Sequence, residues 1–380
     1  MRHGQQVVLH IGAMKTGTTF LQHVLEANAD PLTADGARFA GGQWRDQVRG
    51  VRDVLDMTGP KSGLPKPVGA WDQLVDDMGG SDLRSIISME FLSFTRRPGA
   101  KRVISSLAPA DIHVVLSVRS AGRVLPAQWQ EQVQNRSTIS WRQWCEDVPV
   151  ASEPPSESRR AAQRAVGVTR MVNAWAPLVP PEQFHVVTVP PAGSAPALLW
   201  ERFAVALGLS AERYTVPDAP TNSSLGHVSS ELLRRLNERV TGGGYHGVVK
   251  ELLAKSVLTQ VTDDRPVRLS PELVAPAQQW DAAAVAALSA LDCHLVGDLA
   301  DLQIAVPVDT EPVVVTDADL LAVARQAIPL LREALRERGH AVPDAAEPAD
   351  VESALDQLVD LVSRRQAVPV HPDRERLLPS

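Results

Sequence analysis

Residues 7 to 22 read VVLHIGAMKTGTTFLQ. A short apolar run ends in Gly12; Lys15, Thr16, Gly17, Thr18 and Thr19 follow, and then apolar spacing that suits a helix. These residue types in this order can hold a phosphate group. The first amides of a helix have no intrahelical partner and point outward, and the helix dipole adds partial positive charge at the same end. Gly12 and Gly17 let the backbone approach a ligand closely. Lys15 adds a full charge, and Thr16, Thr18 and Thr19 add hydroxyl donors. The common nucleotide-triphosphate loop, G-x-x-x-x-G-K-[ST], is a different arrangement. Gly12 and Gly17 have its spacing, but Thr18 stands where its lysine would be, and Lys15 precedes the second glycine. A ligand-free turn between strand and helix is the plain alternative. A lysine and three threonines in one turn favour the phosphate site.

A loop of this kind needs a strand before it and a helix after it. VVLHIG (7 to 12) is apolar throughout, as expected of a strand buried on both faces. SIISME (85 to 90), HVVLSV (113 to 118) and FHVVTV (184 to 189) read as further buried strands. Helical spacing falls around 121 to 135, 158 to 176 and 195 to 207. This alternation predicts an α/β fold, a three-layer sandwich with a central parallel sheet and helices on both faces. Residues 30 to 80, with Phe39, Trp44 and Trp71, read as a long, partly helical insertion. DVPVASEPPSES (147 to 158) reads as an acidic, proline-rich loop. From about 305 the pattern is helical, interrupted at Pro329 and stopped at Gly339. Val351, Leu355, Leu358, Val359 and Val362 mark a second amphipathic helix. The expected division is an α/β domain over 1–304, a helical extension over 305–366 and a disordered tail over 367–380.

Bulk properties narrow the class. A net charge of -7 argues against a nucleic-acid partner. The two cysteines, Cys145 and Cys293, make neither a disulfide scaffold nor a cysteine zinc site, which fits a reducing cytoplasm. The N-terminal apolar run is too short for a signal peptide, and no stretch approaches the roughly 20 apolar residues of a membrane span. His10, His113 and His185 fall in strand runs and read as core residues, with His10 nearest the loop. Cys293 and His294 are adjacent but isolated, and no metal is expected.

The order Lys15, Thr16, Gly17, Thr18, Thr19, Phe20 resembles the P-loop-like phosphate motif of sulfotransferases. These enzymes use 3'-phosphoadenosine 5'-phosphosulfate (PAPS) and release 3'-phosphoadenosine 5'-phosphate (PAP). The resemblance covers roughly residues 6 to 240. It implies that the loop holds the 5'-phosphosulfate and that Phe20 lies near the adenine. The family's 3'-phosphate motif starts with an arginine at a strand end; HVVLSVRSAGRVLPAQWQEQV supplies Arg119, with a helix expected to start near Pro126. Where the family commonly has a serine, eight residues on, stands Ala127; Arg123 lies one helical turn before it. TNSSLGHVSSELLRRLN (221 to 237) is the candidate for the closing loop, with Asn222, Ser223 and Gly226 toward phosphate or adenine.

Lys15 would neutralise the leaving phosphate, and a general base is needed for the acceptor. Glu90, at the carboxyl end of SIISME, is the first candidate, since that edge of a parallel sheet faces the ligand crevice. Its plain alternative is to cap the segment FLSF. Burial would raise its pKa and Lys15 would oppose the rise. Gln128, Glu131, Gln132 and Asn135 form a polar stripe beside the apolar Leu125, Trp129 and Val133, suited to a polyhydroxy acceptor or to solvent. Trp44, Trp71 and Trp129 offer stacking surface or core packing. The reading is a PAPS-dependent sulfotransferase acting on a small molecule or carbohydrate, with the C-terminal helices packing on the domain or mediating self-association into a homo-oligomer. Its rivals are a P-loop kinase using ATP and Mg²⁺, which the misplaced lysine disfavours, and a non-catalytic nucleotide-binding interaction module.

Overall fold

The computed structural model describes residues 1–57, 67–217, 225–242, 245–262, 264–303, 305–309, 311 and 313–364. Its sheet has six strands: β1 (Gln6–His10), β2 (Ala37–Phe39), β3 (Arg84–Ser88), β4 (Asp111–Val118), β5 (Phe184–Thr188) and β6 (His294–Val296). Their order is β2-β3-β1-β4-β5-β6, and every neighbouring pair is parallel. Successive side chains point to opposite faces, so a strand apolar throughout supplies two cores. Val7, Leu9, Ile87, Val114, Leu116 and Val186 face one core with Trp71, Val103, Met171 and Trp175. Val8, Ile86, Val115 and Val187 face the other with Leu21, Leu25, Trp200 and Phe203. This is the expected α/β sandwich.

Several local expectations are corrected. β2 and β6 are strands of three residues each, too short for a period-two pattern to declare itself. The insertion over 30 to 80 therefore carries an edge strand as well as the helices Ala29–Ala34, Trp44–Val54 and Ala70–Gly79. β3 stops at Ser88, so Glu90 lies just beyond the strand. The helix after Arg119 runs Ala121–Gln134, with Pro126 inside it, not at its first turn. The helix over 158 to 176 is two helices, Glu157–Val166 and Val168–Trp175, broken at Gly167. A Cβ on Gly167 would lie 2.4 Å from the Gln163 carbonyl oxygen, which explains the glycine.

The chain divides into two compact units, discontinuous in sequence. The first, Met1–Gln128, Pro149–Asn222 and Pro271–Val308, contains the whole sheet. The second, Trp129–Val148, Ser223–Ser270 and Asp309–Ser380, is helical among its described residues. There Asp317–Glu337 packs against Val351–Arg364 and His227–Asn237. A reciprocal Thr316–Asp319 capping box starts the first of these helices. Among the described residues, no helix is long and apolar enough to cross a membrane.

Candidate active site

The segment after β1 keeps following its neighbours before it turns. The Ile11 amide donates to the Val115 carbonyl (2.9 Å), the Ala13 amide to Ser117 (2.7 Å), and the Ser117 amide to Gly12 (2.6 Å). Three residues then take left-handed backbone: Gly12 (φ 86°), Lys15 (φ 60°) and Gly17 (φ 82°). A Cβ on Gly12 would lie 2.9 Å from the Glu90 Cβ and 3.0 Å from its Cα, so this glycine is required both by conformation and by the close approach of Glu90. Lys15 holds a conformation that costs a non-glycine residue about 1–2 kcal/mol, a strain typical of functional loops. Thr16 is buried, and its hydroxyl donates to the Ala13 carbonyl (2.7 Å) to close the turn. The helix Thr18–Ala27 follows; its cap is Gly17, which offers no side chain to the first amides, and its first turn has no acidic residue. The N-terminal end of this helix thus keeps its attraction for an anion.

Glu90 begins a short 3₁₀ helix, Glu90–Phe94, beside this loop. Gln22, on the helix that follows the loop, donates from Nε2 to the Ser88 carbonyl (2.9 Å) and to Glu90 Oε2 (3.2 Å). Gln47 braces the same edge, donating to the Ala40 carbonyl (2.9 Å) and accepting from the Ser88 amide (2.8 Å). Loop and carboxylate are therefore fixed by the same framework.

Arg119 follows the end of β4 and donates from Nη1 to the Lys15 carbonyl (3.0 Å). Its Nε is buried with no partner, and so is the hydroxyl of the next residue, Ser120. Burial, and then the like charge of Arg123, pulls the Arg119 guanidinium down to about 10. Arg123 donates to the Pro190 carbonyl (2.9 Å), and burial lowers its pKa as well. Among the described residues, no carboxylate pairs with either arginine. Asp281 accepts the Ala121 amide (2.7 Å) at the start of the helix after Arg119, and burial pushes its carboxyl up to about 7.

The remaining sequence candidates separate into groups. Thr18 is buried, while Thr19 is exposed in the first helical turn. Phe20 packs half-buried against the second core. Asn222 and Ser223 lie outside the described residues. Gly226 belongs to the second unit, where Asp264 accepts the Val228 and Ser229 amides of the following helix (2.9 and 2.8 Å). Glu131 is committed to an ion pair with Lys250 (2.8 Å) in that unit. His10 is a satisfied core residue between the Ser88 and Ser117 hydroxyls (2.7 and 2.9 Å), and burial lowers its pKa to about 3. Trp71 and Trp129 are core side chains, whereas Trp44 is 37% exposed. Sequence reasoning missed Ser120 and Gln22. Ser120 had one available signal, its place directly after Arg119; Gln22 had none.

No protein-family model matches the chain, and no curated protein matches it by sequence. Among solved structures it is similar to the sulfotransferase domain from the Curacin biosynthetic pathway, at 12% identity and a TM-score of 0.31, over 76% of this chain and 98% of that one.

Proposed function

We propose that the chain is a sulfotransferase that takes PAPS as donor and modifies a hydroxyl or amine of a small molecule or carbohydrate. The observation that carries this reading is the state of Arg119. It is an arginine with burial-depressed pKa, no carboxylate partner among the described residues and an unspent buried Nε, hydrogen-bonded to the carbonyl of the loop lysine. A cation left so is stabilised by a bound anion. A ligand with phosphates at two ends answers both the loop and the arginine.

The donor supplies an activated sulfuryl group for in-line transfer, a reaction governed by positioning and charge stabilisation. The amides after Gly17, with Lys15, Thr16, Thr18 and Thr19, would hold the 5'-phosphosulfate and offset the charge that develops on the leaving oxygen. Arg119, with the Ser120 hydroxyl and Arg123, would hold the 3'-phosphate; this assigns to Ser120 the hydroxyl missing at Ala127. Glu90, oriented by Gln22, would take the acceptor's proton. With only two cysteines in the chain, Cys145 and Cys293, a cytoplasmic setting fits. Incubation with PAPS and a panel of hydroxyl and amine acceptors tests the reading. PAP release that depends on acceptor and is lost in Lys15→Ala supports it; release that persists in Lys15→Ala refutes it.

A further inference from the structure

Beyond Glu90, at the far end of its 3₁₀ helix, lies a group of arginines that the donor reading does not use. Arg170 donates from Nη1 to the Ser93 carbonyl (2.8 Å) and the Thr95 carbonyl (3.3 Å). Its other terminal nitrogen donates to the Arg164 carbonyl (3.3 Å). The Arg164 guanidinium stands over the Phe94 ring, 6.0 Å from its centroid. Arg96 and Arg164 are exposed, and both lie near enough to Arg170 to lower its pKa, after burial as the first cause. Among the described residues, no carboxylate pairs with Arg96, Arg164 or Arg170. The helix Arg97–Ser106 begins here too. Its cap is Arg96, without a side-chain cap bond, and its first turn has no acidic residue, so the helix dipole adds to the positive field.

Three like charges with no counter-ion repel each other. Such a cluster attracts an oxyanion, which would relieve the repulsion through charge-assisted hydrogen bonds. A 3₁₀ helix rises about 2 Å per residue, so this cluster lies roughly 8 Å along the chain axis from Glu90, a span that a sugar-sized molecule bridges. We propose that Arg96 and Arg164, steadied by Arg170, form an oxyanion subsite for the acceptor, which therefore carries a phosphate, sulfate or carboxylate group in addition to the nucleophile. The assignment of this anion to the acceptor rests on the sulfotransferase reading; the subsite itself does not.

The test is a titration with inorganic phosphate, read on the arginine Nε–Hε signals by nuclear magnetic resonance, with PAP first saturating the donor site. Signals are assigned with Arg96→Gln and Arg164→Gln. Saturable shifts of both signals are expected, with affinity weakened at least about tenfold in the double variant, where the neighbouring Arg170 signal reports binding, and PAP affinity unchanged. A parallel titration with acetate separates a carboxylate-selecting subsite from one for tetrahedral oxyanions. Arg96 and Arg164 signals that respond to neither anion overturn the subsite, as does a double variant that binds phosphate like the parent. The titration is repeated without PAP. If PAP itself fails to bind while phosphate still shifts both signals, the donor reading falls and the subsite stands.

Discussion

Replacing Gly12 by alanine perturbs the loop and the candidate base together, and its size can be worked out. Gly12 has φ 86°, and an alanine Cβ there would lie 2.9 Å from the Glu90 Cβ and 3.0 Å from its Cα. The left-handed conformation costs an alanine about 1–2 kcal/mol. The contact adds about 1–3 kcal/mol of overpacking, because the nearest atoms are backbone and Cβ and cannot swing aside. The expected destabilisation is about 2–5 kcal/mol. Gly36 provides the control: it has φ 70° with nothing within 4 Å of a built Cβ, so Gly36→Ala carries the conformational part alone. Urea denaturation of both variants, followed by tryptophan fluorescence, should place Gly12→Ala about 1–3 kcal/mol below Gly36→Ala. PAP titration should show lost affinity in the first and parent-like affinity in the second. Equal destabilisation of the two would refute the close approach of Glu90 to the loop, and with it the architecture of the site.

Three further outcomes are expected. Glu90→Gln should keep PAP affinity while turnover falls about 10²–10⁴-fold, measured as PAP release with acceptor present; parent-like turnover would remove Glu90 from the mechanism. Arg119→Lys keeps the charge but loses the fork, so PAP affinity should drop by at least about tenfold without loss of stability, by calorimetry and denaturation respectively. The Asp281 carboxyl is raised to about 7 in the fold, so between its ordinary value and pH 7 the unfolded chain loses a proton that the folded one keeps. Its contribution to stability is full below its ordinary carboxyl value and declines as pH rises toward 7. Asp281→Asn should therefore gain relative to the parent between about pH 4 and pH 7, the window set by that shift, and a constant difference across that range would count against the burial of the carboxyl.

The parts of the site that were legible share one property: they are contiguous. The loop from Gly12 to Thr19 brings its glycines, lysine and threonines together within eight residues, and both glycines fall where φ is positive. The four central strands were legible because burial on both faces makes them continuous apolar runs. β2 and β6 were not, because three residues carry no period and β6 is largely exposed. Pro126 misled as a helix start because proline favours the first turn, yet here the helix begins at Ala121. Glu90 lies beyond the end of its strand at Ser88, yet it stands beside the loop at Gly12 as the reading of that sheet edge expected. What stayed hidden was long-range. Gln22 reaches Glu90 across 68 positions and Asp281 reaches Ala121 across 160, and no spacing in one sequence announces either contact. The ion pair of Glu131 with Lys250, 119 positions away, was hidden for the same reason.

The central claim is that the loop, with Lys15 placed before its second glycine, and Arg119 together hold a 3',5'-bisphosphorylated nucleoside. Calorimetric titration with PAP in metal-free buffer, beside ATP with Mg²⁺, tests this most directly. The account predicts tight PAP binding that is lost in Lys15→Ala and weakened in Arg119→Lys, with weak binding of ATP. Tight ATP–Mg²⁺ binding with no response to PAP would contradict it and make the chain a phosphotransferase.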